Sequence, residues 1–178
     1  MESLTIRQPR PSDEGPIAEL ITAHFTPGSS YDVRLGLGDP SYHVRVATVD
    51  GAVVGTMALN LLSAPGAVAD ATYFFEDPGI VPGAERYGLL EMGYVREGFT
   101  GRGIGRRLLG AIETVGVEHG VELFLADAWY HGGADSPRRL LESGGYEIRH
   151  CEPVAWDDEC PKCDGECVCE GVLVARPA

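Results

Sequence analysis

Residues 100–110 read Thr100-Gly101-Arg102-Gly103-Ile104-Gly105-Arg106-Arg107-Leu108-Leu109-Gly110. An apolar run precedes them, with Leu89, Leu90, Met92, Tyr94 and Val95. A helical pattern follows, with Ile104, Leu108, Leu109, Ile112 and Val115. A strand, a glycine-rich turn and a helix, in that order, aim backbone N–H groups at an anion. Glycine has no Cβ, so the main chain can come close to a ligand. Arg102, Arg106 and Arg107 add positive charge to that helix start in a chain of net charge -13. The stretch is suited to hold a pyrophosphate.

Two common phosphate patterns do not fit. The P-loop needs Gly-x-x-x-x-Gly-Lys-Ser/Thr, and no lysine stands here. A dinucleotide fingerprint needs a third glycine three positions after the second, where this chain has Arg106 or Leu108. The segment instead resembles the coenzyme A signature of the GNAT superfamily, the acyl-CoA-dependent N-acetyltransferases. That signature, Gln/Arg-x-x-Gly-x-Gly/Ala, ends the fourth strand and opens the third helix. Its last two glycines fall on Gly103 and Gly105, and Thr100 stands where the family usually has Gln or Arg. The family grips the phosphates mainly through main-chain amides, so the departure is mild.

At 178 residues and 44% hydrophobic content, the chain is long enough for one domain, residues 1–178, with a sizeable core. No apolar run reaches about 18 residues, so no transmembrane helix is expected. The N-terminus lacks the layout of a signal peptide, and the expected location is cytoplasmic. Twenty-seven acidic residues face 14 basic ones, of which only Lys162 is a lysine. Such a surface repels nucleic acid and anionic membranes. It resembles that of proteins from salt-loving archaea, in which high salt screens the self-repulsion.

Alternation predicts strands over 3–8, 43–49 and 53–62, the last two joined by a tight Asp50-Gly51 turn. Ser12 is a plausible N-cap for a helix through Ile17, Leu20, Ile21 and Phe25, which Pro27-Gly28-Ser29-Ser30 ends. Residues 63–88 read either as a loop or extra hairpin covering an edge, or as a lid or wall of the acceptor pocket. Further strands are expected at 88–96, 121–129, 146–151 and 171–176, with helices at 101–119 and from Ser136-Pro137 to Gly144-Gly145. The order is β, α, β, β, β, α, β, α, β, β. This α/β (α+β) pattern is the one the GNAT family uses, with a mixed central sheet of about seven strands flanked by helices. The resemblance runs over roughly 3–150 and is strongest at 88–110 and 140–146.

The resemblance implies transfer of an acetyl group from acetyl-CoA to an amine by direct attack, with both substrates bound. The main chain of Tyr94 and Val95 would pair with the pantetheine arm. The amides of Arg102, Gly103, Ile104, Gly105 and Arg106 would hold the pyrophosphate. Positioning two bound reactants is worth up to roughly 7–11 kcal/mol. A backbone N–H near the carbonyl adds about 3–4 kcal/mol by stabilising the oxyanion.

The attacking amine must be neutral, so a base must take its proton. Glu91 on the cofactor strand is the candidate, on the same face as Leu89 and Gly93 by alternation. The family's glutamate aligns with Leu89, two residues away, and the competing reading is a glutamate at a solvated strand edge. The family's acid is a tyrosine five residues before the Phe of Gly-Phe, where this chain has Leu141. Tyr130 or His131 at the end of the preceding strand could substitute, or water could. Glu97 reads as a surface residue, and His24, His43, His119 and His150 have no metal spacing.

All five cysteines lie between Cys151 and Cys169. Cys160, Cys163, Cys167 and Cys169 form Cys-x2-Cys-x3-Cys-x-Cys, in a hairpin expected at about 157–170. Two thiolate pairs this close suit one tetrahedral Zn2+. Free thiols, a reversible disulfide and an iron–sulfur role stay open. Cys151 reads as a small buried apolar residue. Two rivals to the transferase remain: an acyl-CoA sensor without catalysis, and a zinc-ribbon interaction module on the same scaffold. The acceptor amine is not readable, and a homodimer is open because dimers are frequent in the family.

Overall fold

The computed structural model describes residues 3–25, 28, 30–154 and 160–178. Pro27 and Ser29 of the expected helix stop, and 157–159 of the expected cysteine hairpin, lie outside the described residues. The strands are β1 (Leu4–Arg7), β2 (Tyr42–Val49), β3 (Ala52–Leu62), β4 (Tyr87–Val95), β5 (Leu123–Tyr130), β6 (Glu147–Pro153) and β7 (Glu170–Pro177). The helices are α1 (Glu14–Thr22), α2 (Pro65–Ala71), α3 (Ile104–Glu118) and α4 (Arg138–Ser143). The sheet has seven strands in the order β1-β2-β3-β4-β5-β7-β6, the mixed α/β arrangement expected. No helix among the described residues is long and apolar enough to cross a membrane.

The chain divides into two compact units, one of residues 1–60 and 90–119, the other of 61–89 and 120–178. In the first, β1, β2 and β3 form an antiparallel meander. The β2–β3 turn has Asp50 and Gly51 at φ 48° and 87°, the left-handed pair that a tight hairpin needs. The period-two alternation of β2 serves two helices. Tyr42, Val44 and Val46 pack with Ile17, Leu20 and Ile21 of α1, together with Val53, Ala58 and Met92. His43, one residue out of phase, stacks 4.5 Å from His119, just past α3. α3 buries Ile104, Leu108, Leu109, Ile112 and Val115, a stripe at helical spacing.

In the second unit β7 lies between β5 and β6 and is antiparallel to both. Its residues 171–175 are buried, whereas β6 is left exposed along nearly its whole length. Cys151 sits on β6 and is exposed, contrary to the buried residue expected. An edge strand has no neighbour to cover it, and alternation alone does not say which strand is the edge. Residues 63–88 form no extra hairpin. They fold as α2, which has Pro65 in its first turn, and a 3-10 turn over Pro78–Ile80.

That connection is tied to its own unit. The Asp127 carboxylate accepts the backbone N–H groups of Tyr73 and Phe74. Burial raises the Asp127 pKa and those two bonds oppose the rise. A Cβ on Gly171 would meet Phe74 Cγ at 2.6 Å, so glycine there lets the ring lie on β7. Val68, Phe75, Val81, Tyr87 and Leu89 complete the core with Leu125, Leu173 and Ala175.

Ser12 is not the N-cap of α1. A 3-10 turn over Pro11–Asp13 precedes the helix, and Phe25 lies past its end. Asp13 holds the N-cap place of α1 without a side-chain bond to that helix, and its carboxylate accepts Arg7 Nη1 at 2.7 Å, Arg7 Nη2 at 3.1 Å and the Arg10 N–H at 2.6 Å. This joins the end of β1 to the start of α1. The Arg7 bonds hold the Asp13 pKa below its usual value. A depressed carboxylate pKa gives stability that is present above the unfolded pKa and lost as pH falls through the folded one. Asp13→Asn should therefore cost about 2 kcal/mol at pH 7, the scale of hydrogen bonds to a charged group. In urea melts the difference from the parent should shrink below pH ~4. A difference that persists undiminished there contradicts the pairing as the source.

Candidate cofactor turn and active site

The turn between β4 and α3 is exposed at Gly98, and from Thr100 through Gly103. Gly98, Gly101 and Gly103 have φ of 83°, 74° and 77°. A Cβ at Gly101 or Gly103 would touch nothing within 4 Å, so the backbone conformation and not crowding demands glycine. Because 101 and 103 are left-handed, α3 begins at Ile104 and not at 101 as the pattern suggested. Its first backbone bond runs from Arg107 N–H to Gly103 C=O at 3.1 Å. Gly103, at the N-cap, supplies no side-chain bond. Among the described residues of this unit, no acceptor takes the amides of Gly103, Ile104 or Gly105.

The turn is held from below. Arg96 N–H bonds Val54 C=O at 2.8 Å, and Arg96 Nη2 reaches Val53 C=O at 3.3 Å. A Cβ on Gly55 of β3 would lie 3.0 Å from Leu108 and 3.3 Å from Ile104, so glycine seats the first turns of α3 close to β3. Arg102 lies over the Phe99 ring at 4.9 Å, and Arg106 and Arg107 are exposed beside it. Amides without an acceptor among the described residues of this unit and exposed cations thus lie on one short stretch, as an anion site requires.

Upstream, Met92 has φ 51°, a left-handed residue inside a strand. This costs on the order of 1–2 kcal/mol, which burying the methionine, worth about 1.5–3 kcal/mol, offsets. The kink breaks the alternation expected for 89, 91 and 93. Glu91 accepts from Tyr42 Oη at 2.8 Å and Asn60 Nδ2 at 3.1 Å, while Met92 packs in the cluster that holds the Tyr42 ring. Two successive residues of β4 thus reach the same cluster, and Gly93 beyond them is exposed. Glu91 is no bare carboxylate at a solvated edge. Tyr42 and Asn60 are direct partners in the β2–β3 register, so three adjacent strands carry one polar row. Burial and the Glu91 charge raise the Tyr42 pKa, so the phenol stays a donor. Neither Tyr42 nor Asn60 shows a local sequence signal, since only strand pairing brings them to Glu91.

Tyr94 packs its ring against His24 at 4.9 Å and Phe25 at 5.9 Å. His24 Nε2 lies 3.1 Å from the Val95 carbonyl oxygen, so that acceptor is partly engaged before any ligand arrives. His24, read as a scattered histidine, buttresses the strand expected to meet pantetheine.

The other expected residues belong to the second unit. Tyr130 is buried, and its hydroxyl has no hydrogen-bond partner among the described residues. Burial, with Glu142 adding to it, pushes its pKa up to about 12, so the phenol is protonated at neutral pH. His131 Nδ1 accepts the Gly133 N–H at 3.0 Å. Leu141, in the place of the family's tyrosine, is buried. The sulfurs of Cys160, Cys163, Cys167 and Cys169 all lie within 4.8 Å of one another. Backbone N–H groups of Val168 and Gly132 hold the Cys163 thiol down to about 7.

The sequence profile of the acetyltransferase (GNAT) family matches residues 11–132. No curated protein matches the chain by sequence. An aminoglycoside 6'-N-acetyltransferase complexed with coenzyme A is similar over 97% of this chain and 96% of its own, at 14% identity and TM-score 0.65. The yncA protein of Salmonella typhimurium, solved with its cofactor acetyl-CoA, is similar over 98% and 94%, at 17% identity and TM-score 0.65. The ribosomal-protein-S18-alanine N-acetyltransferase of Escherichia coli is similar over 98% and 94%, at 13% identity and TM-score 0.62. The structural likeness shows a shared fold, and the sequence profile spans more than half of the chain, so this protein belongs to the GNAT family of acetyltransferases.

Proposed function

We propose that the protein is an acetyl-CoA-dependent N-acetyltransferase acting on a primary amine by direct attack. The observation that carries this reading is the row of amides at Gly103, Ile104 and Gly105 that no acceptor takes among the described residues of this unit, set among Arg102, Arg106 and Arg107. Acetyl-CoA supplies the thioester. The amides at the start of α3 take the diphosphate, and the arginines add charge that a neutral nucleophile's binding would not need. The main chain of Tyr94 and Val95 is assigned to the pantetheine arm.

Glu91 takes a proton from the acceptor's ammonium group, directly or through one water, and the neutral amine that results attacks the thioester carbonyl. Tyr42 and Asn60 orient the Glu91 carboxylate. As the amine nitrogen bonds to the acyl carbon and the C–S bond breaks, the nitrogen sheds its surplus proton to solvent and the thiolate takes one up. Tyr130 is assigned that donation, because its hydroxyl is protonated and lacks a partner. Of the neighbours named above, one is an aminoglycoside 6'-N-acetyltransferase and one a ribosomal-protein-S18-alanine N-acetyltransferase, so the acceptor here is open between an aminoglycoside-like amine and a protein amine.

Leu141 favours one rival, a protein that binds acyl-CoA without transferring the acyl group. Release of thiol from acetyl-CoA over polyamines, aminoglycosides, amino acids and peptides with free N-termini separates the two. Release with any of them supports the transferase; binding of coenzyme A with no release from any supports the sensor. Given an accepted amine, Glu91→Gln should lower kcat about 100-fold with little change in the KM for acetyl-CoA. An unchanged kcat removes Glu91 from the chemistry. Gly103→Glu should weaken coenzyme A binding at least ~100-fold in calorimetry, roughly the 3 kcal/mol that one lost charge-assisted contact is worth. Retained affinity in a folded variant contradicts the phosphate assignment.

A further inference from the structure

The four clustered cysteines have no part in acetyl transfer, and their geometry is that of a ligand set. Cys160 Sγ lies 3.5 Å and Cys163 Sγ 3.6 Å from Cys169 Sγ, and all four sulfurs fall within 4.8 Å of one another. A tetrahedral ion with Zn–S of about 2.3 Å sets its sulfurs about 3.8 Å apart. Two of the sulfur–sulfur distances are already close to that value, and the others do not exceed 4.8 Å. A cluster of several irons would force opposite sulfurs farther apart. Thiolates are soft ligands and exclude Mg2+ and Ca2+.

The surroundings fit a charged metal site. Four thiolates and one Zn2+ carry a net charge of about -2, which needs donors close by. The amides of Val168 and Gly132 donate to Cys163. Lys162, the chain's only lysine, stands between the first two cysteines. The cluster also closes the chain on itself, since Val154 N–H bonds the Cys169 carbonyl at 3.0 Å. Cys169 is buried, and the other three are partly exposed, which leaves an entry path for an ion.

Two of these contacts reach the loop of residues 131–137 that joins β5 to α4. Gly132 donates its N–H to Cys163, and a Cβ there would sit 3.5 Å from that sulfur. Lys162 Nζ lies 2.5 Å from Asp135 Oδ2, and Asp135 Oδ1 lies 3.8 Å from His131 Nε2. The loop is thus fastened at 132 and at 135 to the segment that carries the ligands. We propose that Cys160, Cys163, Cys167 and Cys169 bind one Zn2+ and that the bound ion pins the β5–α4 loop next to Tyr130. Without the ion the four sulfurs lose the bonds that would hold them to one centre, and the loop is held less firmly.

The test uses the full chain purified under reductant with zinc in the medium, and neither readout depends on acetyltransferase activity. Elemental analysis should find about one zinc per chain, retained in Cys151→Ser and lost when Cys160 and Cys163 are both changed to Ser. Should the double variant fail to fold, Co2+ titration of the apo parent decides: visible bands of tetrahedral sulfur coordination should saturate at about one equivalent. Amide exchange at 131–136 should then rise about tenfold or more on removal of the metal. Five free thiols with no bound metal, iron in place of zinc, or a Co2+ spectrum without those bands each overturns the site. Zinc that binds and leaves while exchange in the loop stays constant overturns the anchoring.

Discussion

A helix cannot satisfy its own first amides, and α3 is given no side chain to do so. Ser, Thr, Asp or Asn at an N-cap commonly adds about 1 kcal/mol of stability. Here Gly103 occupies that place in a left-handed conformation, and the neighbouring charges are arginines and not carboxylates. The stability forgone at this helix start leaves donors pointing outward. Everything else in the first unit keeps that turn in place. Arg96 fastens it to β3, Gly55 lets Ile104 and Leu108 settle close to the sheet, and the buried stripe of α3 fixes the helix axis.

The same strand that delivers the turn also delivers the carboxylate. The kink at Met92 takes β4 out of simple alternation and sends Glu91 to Tyr42 and Asn60. Its conformational cost is repaid by burying Met92 in the α1 cluster. The second unit supplies the candidate proton donor Tyr130 and, a few residues on, the loop fastened to the cysteines. Its connection over α2 is secured by Asp127 and by the contact of Phe74 on Gly171.

Features written in local residue order were legible. The glycine turn, the stripe of Ile104, Leu108, Ile112 and Val115, the Asp50-Gly51 hairpin and the cysteine spacing each announce their geometry within a few residues. What was not legible depends on partners distant in sequence. Tyr42 and Asn60 meet Glu91 only through strand register. The left-handed Met92 carries no glycine to mark it, so alternation was extended through it and put Gly93 in the wrong phase. α2 is hidden from a loop-or-hairpin reading of 63–88 by its shortness, although Pro65 in the first turn and the alanines around it are helix signals. Cys151 was read as buried from residue type, and edge position decided otherwise.

Backbone amide NMR during titration with coenzyme A tests the central claim most directly, because it reads the proposed donors one by one. The account predicts that Gly103, Ile104 and Gly105 show the largest downfield shifts, saturating together with binding. Coenzyme A that binds while these three amides stay unmoved, with the largest shifts elsewhere in the chain, would contradict it.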